Sequence, residues 1–173
     1  MFQFGKLSLW KPPVTGFVWG FMTKINAAEI DWAETTGRNL WLMKSEPDVY
    51  GWDDLVAEGE GTWDGVRNHL AARNLRTMQA GDLAFFYHSN IGVEVVGVIV
   101  ISEGGLTDPT DPEGKWAAVK VKPVQKLPQT VTLKQIKATP ELQEMDLIRL
   151  SRLSVGAVRP DEWNLILRMA GAL

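Results

Sequence analysis

Short strand-like segments separated by short helix-like ones, with no repeating βαβ unit, are the strongest constraint on this chain. LWLMKS (40–45), DLAFFYHS (82–89) and EVVGVIVIS (94–102) are rich in aromatic and β-branched residues, the composition of strands. Glu46-Pro47 ends the first, since proline cannot donate to a ladder. WAAVKVKPV (116–124) sets Val119 and Val121 against Lys120 and Lys122, the alternation of a half-buried strand. LSRLSV (150–155) supplies a last strand. Between them, WDDLVAEG (52–59) has acids in its first turn and Gly59 past its end, as a short helix does. Thr132 with Gln135 makes a capping box, Thr139 before Pro140 an N-cap with proline at N1, and PDEWNLILRM (160–169) a closing helix. Five or six strands with such helices predict an α+β fold, a small mixed β-barrel flanked by short helices.

TWDGVRNHLAARNL carries the most informative conflict. Wound as a helix over residues 65–78, it gathers Val66, Leu70, Ala71, Leu75 and Met78 on one side. Arg67 and Asn74 then fall within that apolar face, while His69, Arg73 and Arg76 point away. An inward arginine needs a carboxylate partner or a polar pocket, because an unpaired buried charge is costly.

Composition narrows the chemistry. The chain has no cysteine and two histidines, which excludes thiolate chemistry and disulfides and disfavours a zinc site. A net charge of −3 argues against non-specific binding along a phosphate backbone but not against recognition of one extruded base. No apolar run reaches the ~20 residues of a membrane span, and the absence of cysteine fits a cytoplasmic protein. No Walker, GxSxG, HExxH or zinc-deaminase motif is present, so no cofactor is expected. Residues 1–38 lack periodicity, and Gly16, Gly20 and the Pro12-Pro13 pair interrupt what could be a signal sequence. They are expected to be a poorly structured extension or a mis-assigned start, with Met22 as the start, ahead of a domain over 39–173.

Several side chains could carry a site. Trp63, beside Asp64-Gly65 at what looks like a helix mouth, is placed to stack on a base, although a tryptophan is as readily core. Asn68 offers two donors and an acceptor, the equipment for a base edge, or it bonds the neighbouring turn. Ser45 and Glu46 end one strand; His88 and Ser89 end another. Alternation divides Phe85 and Tyr87 from Phe86 and His88, so only one set is expected to face the barrel core. Arg152 and Ser154, on one face of the expected last strand, could take phosphate or base, or be a solvated face.

WLMKSEPDVYGWDDL, TWDGVRNHLAARNL, GDLAFFYHSN, the LTDPT loop and LIRLSRLSV followed by EWNLIL, in this order, resemble the EVE domain family over about residues 40–170. Gly51 stands where a small polar residue is usual and Arg159 where a capping Ser or Thr is usual. The resemblance implies a PUA-like fold related to YTH domains, and a non-catalytic module that takes a modified nucleobase, such as a methylated or hydroxymethylated cytosine, into an aromatic and polar pocket. Its partner is then a nucleic acid carrying that base, or the modified nucleotide itself. YTH pockets hold a tryptophan followed five residues later by an asparagine, a spacing that Trp63 and Asn68 match. The implied pocket comprises Ser45, Glu46, Trp63, Arg67, Asn68, Tyr87, His88, Ser89, Arg152 and Ser154, with Arg67 inward and Glu46 its expected partner. The competing expectation is an enzyme acting on a base or nucleotide, with Glu46 and His88 as acid and base.

Overall fold

The computed structural model describes residues 30–173; the expected start at Met22 and most of the 1–38 extension lie outside the described residues. In chain order the elements are β1 (Leu40–Ser45), α1 (Trp52–Glu58), β2 (Gly61–Trp63), α2 (His69–Thr77), β3 (Leu83–His88), β4 (Glu94–Thr107), β5 (Ala117–Thr132), α3 (Leu133–Ala138), α4 (Asp146–Arg149), β6 (Val155–Ala157) and α5 (Pro160–Met169). A 3-10 turn, Pro140–Leu142, lies between α3 and α4. The strands form one mixed sheet in the order β2-β5-β4-β3-β1-β6. Strands β1 and β3 run parallel; the other neighbours are antiparallel. This is the α+β architecture expected.

Both faces of the sheet are buried. On one, Leu40, Leu42, Leu83, Phe85 and Tyr87 meet Trp163, Ile166 and Leu167 of α5 and Ile136 of α3. On the other, Trp41, Met43, Ala84 and Phe86 meet Trp52 and Leu55 of α1, Trp63 of β2, and Ala71 and Leu75 of α2. The period of two therefore feeds two cores, where alternation predicts one face against the core. Phe85 stacks on Trp163 at 3.9 Å between ring centroids, and Trp52 and Trp63 both meet Phe86 edge-on.

The long β4–β5 hairpin bends to wrap the second core. Its register shifts between Val95 and Gly97, between Val98 and Ile99, and twice more toward its tip; bulges of this kind bend and twist a sheet. Pro123 sits at one shift, where proline is tolerated. At Gly97 the indole of Trp52 presses so closely that a Cβ there would overlap it. Helix α2 contacts β4, β5 and β6. Its inward Asn74 donates from Nδ2 to the Val155 carbonyl at 2.8 Å, so a polar side chain within the apolar face joins the helix to the edge strand.

Two expectations change. The last strand is Val155–Ala157 alone; residues 150–154 form a turn after α4, closed by a bond from Leu153 N to Leu150 O. Leu153 is buried and Leu150 is exposed, the i, i+3 spacing of a turn that packs one leucine. Consequently Arg152 and Ser154 do not share a strand face. At the other end of the domain, Ile30 and Trp32 pack against the first core, and Trp163 Nε1 donates to Trp32 O at 3.4 Å.

These contacts lie on the extension side of residue 39. A chain beginning at residue 39 is expected to melt lower than one beginning at residue 30, by a few degrees for a loss of about 1–2 kcal/mol. Calorimetry of the two forms measures this, and equal melting temperatures would make the contacts inconsequential.

Candidate nucleic-acid interface

Strands β1 and β3 end together, with Ser45 opposite His88, and β6 starts at the same end of the sheet, opposite Met43. Most of the candidate residues collect here. The Ser45 hydroxyl donates to Tyr50 O at 2.6 Å, and Ser89 donates from both N and Oγ to Ser45 O. These serines tie the strand ends and the 46–50 turn together. The Glu46 side chain is exposed, while its carbonyl accepts from Val49 and Tyr50.

His88 is committed to the fold. Its Nε2 accepts the N–H of Trp52 at 3.1 Å, satisfying one of the amides that the first turn of α1 leaves unpaired. Burial pushes its pKa down from the ordinary 6.5, which keeps the ring neutral at pH 7. Tyr87, next to it, faces the opposite core and is buried, and burial pushes its phenol up to about 12.

The WDGVRN segment differs most from expectation. Trp63 ends strand β2 opposite Val119 and is 7% exposed, its ring perpendicular to Phe86 at 5.4 Å. It is therefore a strand residue in the second core, not a tryptophan at a helix mouth. Gly65 takes φ 71°, a left-handed turn that glycine adopts without penalty, and the chain stays non-helical until Asn68 caps α2. Arg67 precedes the helix and does not point inward. Its guanidinium, 43% exposed, pairs with the fully buried Asp108 at 2.6 Å, reaches Thr110 Oγ1 at 2.9 Å and lies 5.6 Å over the Trp116 ring. Glu46 is thus not its partner: the turn at Gly65 sends Arg67 to the loop after β4.

Asp108 organises that loop. Its carboxylate accepts from Gly65 N, Arg67, Thr110 N and Thr110 Oγ1. Burial alone would raise its pKa; the Thr110 hydroxyl, the Arg67 guanidinium and the Thr110 and Gly65 amides outweigh this and hold it well below the usual carboxylate range. The LTDPT motif carried the signal for this Asx turn, although spacing alone does not pair it with Arg67.

Asn68 faces a cavity of about 290 Å³ with Leu70, Arg149, Leu150, Ser151, Arg152 and Leu153. Its Oδ1 caps α2 by accepting from Ala71 N at 3.0 Å. That leaves Nδ2 without a protein acceptor among the described residues. Lys44 Nζ donates to Ser151 O at 2.9 Å and Lys44 N to Ser154 O at 2.8 Å, fixing the 150–154 turn against β1. Of the expected pocket residues, Asn68 and Arg152 line this cavity. Leu70 and Leu150, also on its wall, are exposed leucines; helical periodicity placed Leu70 on the apolar side of α2. Among the described residues no group of three acids and histidines is placed to hold a metal, and no helix is long and apolar enough to cross a membrane.

Two measurements follow from this geometry. Asp108→Asn should destabilise the domain by about 3 kcal/mol, within the range for breaking a buried charged pair. Because the folded pKa is depressed, the carboxylate's contribution is complete above its ordinary value of 3.8 and is lost as pH falls below it. The stability gap between wild type and variant in urea titrations should therefore close under acid conditions. By NMR, His88 should titrate below 6.5 with its proton on Nδ1; a midpoint above that value would remove its role as acceptor for α1.

The EVE domain model matches residues 39–169. Thymocyte nuclear protein 1 of Rattus norvegicus is 33% identical over 176 residues, covering 80% of this chain and 78% of the rat protein. The NMR structure of Rpa0253 from Rhodopseudomonas palustris has a TM-score of 0.75 at 46% identity, covering 78% of this chain and 94% of that one. The human THYN1 protein, crystallised in complex with DNA containing 5-methylcytosine, has a TM-score of 0.69 at 30% identity, covering 76% of this chain and 97% of that one. With the family model spanning residues 39–169 and a relative 33% identical over 80% of its length, the chain belongs to the EVE domain family.

Proposed function

We propose that this chain is a non-catalytic reader of modified bases in nucleic acid, which accepts the base in the cavity at the start of α2. The observation that carries the proposal is the free amide of Asn68 at that cavity. Its oxygen is engaged by the helix cap, and its nitrogen supplies donors suited to an acceptor edge such as N3 or O2 of a cytosine. Leu70 and Leu150 supply apolar wall for a methyl substituent. Arg149 and Arg152 supply positive charge for the adjoining phosphates, with Arg149 also reaching Glu144 at 3.3 Å. A volume of about 290 Å³ is at the small end of ligand pockets, which run from about 300 Å³ upward.

Binding of 5-methylcytosine DNA by the human relative supports methylated cytosine as the ligand. Turnover is disfavoured by His88, whose acceptor nitrogen is occupied by the Trp52 amide, and by the lack of a hydrogen bond between Glu46 and His88 among the described residues.

Asn68→Ser tests the reading. Serine keeps an N-cap oxygen but lacks the amide donors, so the melting temperature should change little. Affinity for a methylcytosine oligonucleotide should fall about tenfold, which is ~1.4 kcal/mol. The control is a panel of short oligonucleotides and nucleosides with different modifications, titrated at stated salt. Absence of binding by the wild type across that panel would refute the proposal, as would equal affinity of wild type and Asn68→Ser.

A further inference from the structure

The turn between β3 and β4 carries the non-glycine residues with positive φ among those described, Asn90 (φ 64°) and Val93 (φ 55°), with Gly92 (φ 82°) between them. Asparagine and glycine accept that region readily; a β-branched valine does not, and it holds such a conformation only where its surroundings impose it. Here they do. Ser89 bonds back to Ser45 O through N and Oγ, Ile91 N donates to Ser89 O at 2.7 Å, and Leu133 N to Val93 O at 2.9 Å.

This pinned turn presents Ile91, which is 57% exposed. Beside it, a cavity of about 510 Å³ opens between Gly92 and Val93 on one side and Leu133, Lys134 and Lys137 on the other. Both lysines are exposed and have no acidic partner among the described residues. The acid at the turn is Glu94, whose side chain lies against Gly92 and acts on His88.

The turn is at the same end of the sheet as the cavity lined by Asn68. Along the order β4-β3-β1-β6 it lies roughly 10–15 Å from the 150–154 segment, at about 4.8 Å per strand, with α3 and its lysines packed on the opposite face of the sheet from α2. A base drawn from a duplex leaves an unstacked gap beside the pocket that receives it. Proteins that open base steps fill such gaps with apolar side chains, isoleucine among them.

The geometry points to a second contact with duplex nucleic acid: Ile91 occupies the gap left by the extracted base, and Lys134 and Lys137 take phosphates of the flanking strand. This rests on the base-binding function proposed above. A rigid turn suits the task, since an insertion element that must first be ordered loses part of its binding energy to that ordering.

Binding of wild type and Ile91→Ala to one methylcytosine oligonucleotide, as duplex and as single strand at fixed salt, tests the inference. A single strand has no stack to refill. Ile91→Ala should therefore weaken duplex binding about tenfold and change single-strand binding less than twofold, with an unchanged melting curve; Ile91→Leu should restore duplex binding. The double variant Lys134→Gln/Lys137→Gln should reduce the salt slope on duplex by about 1.8, from ~0.9 per phosphate contact. An unchanged ratio of duplex to single-strand affinity in Ile91→Ala overturns the wedge, and an unchanged slope overturns the phosphate contacts. Wild type that binds single strand but not duplex also overturns the inference while leaving the base-binding reading intact. Wild type that binds neither form overturns both.

Discussion

The parallel pairing of β1 with β3 is the constraint on which the rest of this domain depends. Parallel neighbours cannot be joined by a tight turn, so the 37 residues from 46 to 82 must leave one strand end and return to the other strand's start. That excursion contains α1, β2 and α2, which together cover one face. The other face is left for α3 to α5. Burial on both faces explains why the central strands are apolar almost throughout, and why Tyr87 and Phe86, adjacent in sequence, belong to different cores.

Polar groups then fix what apolar packing leaves loose. Asp82 accepts from Asn39, Trp41 and Gln79, joining the start of β1 to the turn before β3. Asp108 performs the equivalent service for the segment leading into α2. Neither carboxylate faces the cavity at Asn68, yet Asp108 decides where α2 begins, because its bonds to Gly65 and Arg67 hold the preceding residues out of the helix. Asn68 joins the two concerns, with its oxygen in the fold and its single amide nitrogen left without a protein acceptor beside the cavity, among the described residues.

Most of the architecture was legible in the sequence because strand alternation and helix caps are local signals. The strands LWLMKS and LAFFYH, the Thr132–Gln135 box and the Pro160 helix start all follow from neighbours within four residues. Errors arose where a decisive partner is distant. Periodicity extended α2 back to residue 65, but Asp108, 43 positions from Gly65, stops it at Asn68. Arg67 was assigned to Glu46 for the same reason. LSRLSV is expected to be a strand, yet only Val155 onward finds an edge to pair with. Of the candidate site, Asn68 and Arg152 were legible as residue types with suitable chemistry, and EVE-like motif order brought them into one expected pocket. The leucines on its wall carried no signal, since exposed and buried leucines look alike in a sequence.

The pairing of β6 with β1 has a consequence for how the molecule is made. Among the described residues the first strand waits for the last: Trp41 pairs with Ala157 across 116 positions, and α5, which packs on the first core, follows later still. Domains dominated by such distant pairings fold slowly, since chain closure precedes the contacts that reward it. During synthesis, Leu40, Leu42 and Phe85 stay uncovered by Trp163 until α5 emerges. A chain stalled before residue 155 therefore exposes an open β1 edge and an apolar sheet face, the combination that draws chaperones and drives aggregation.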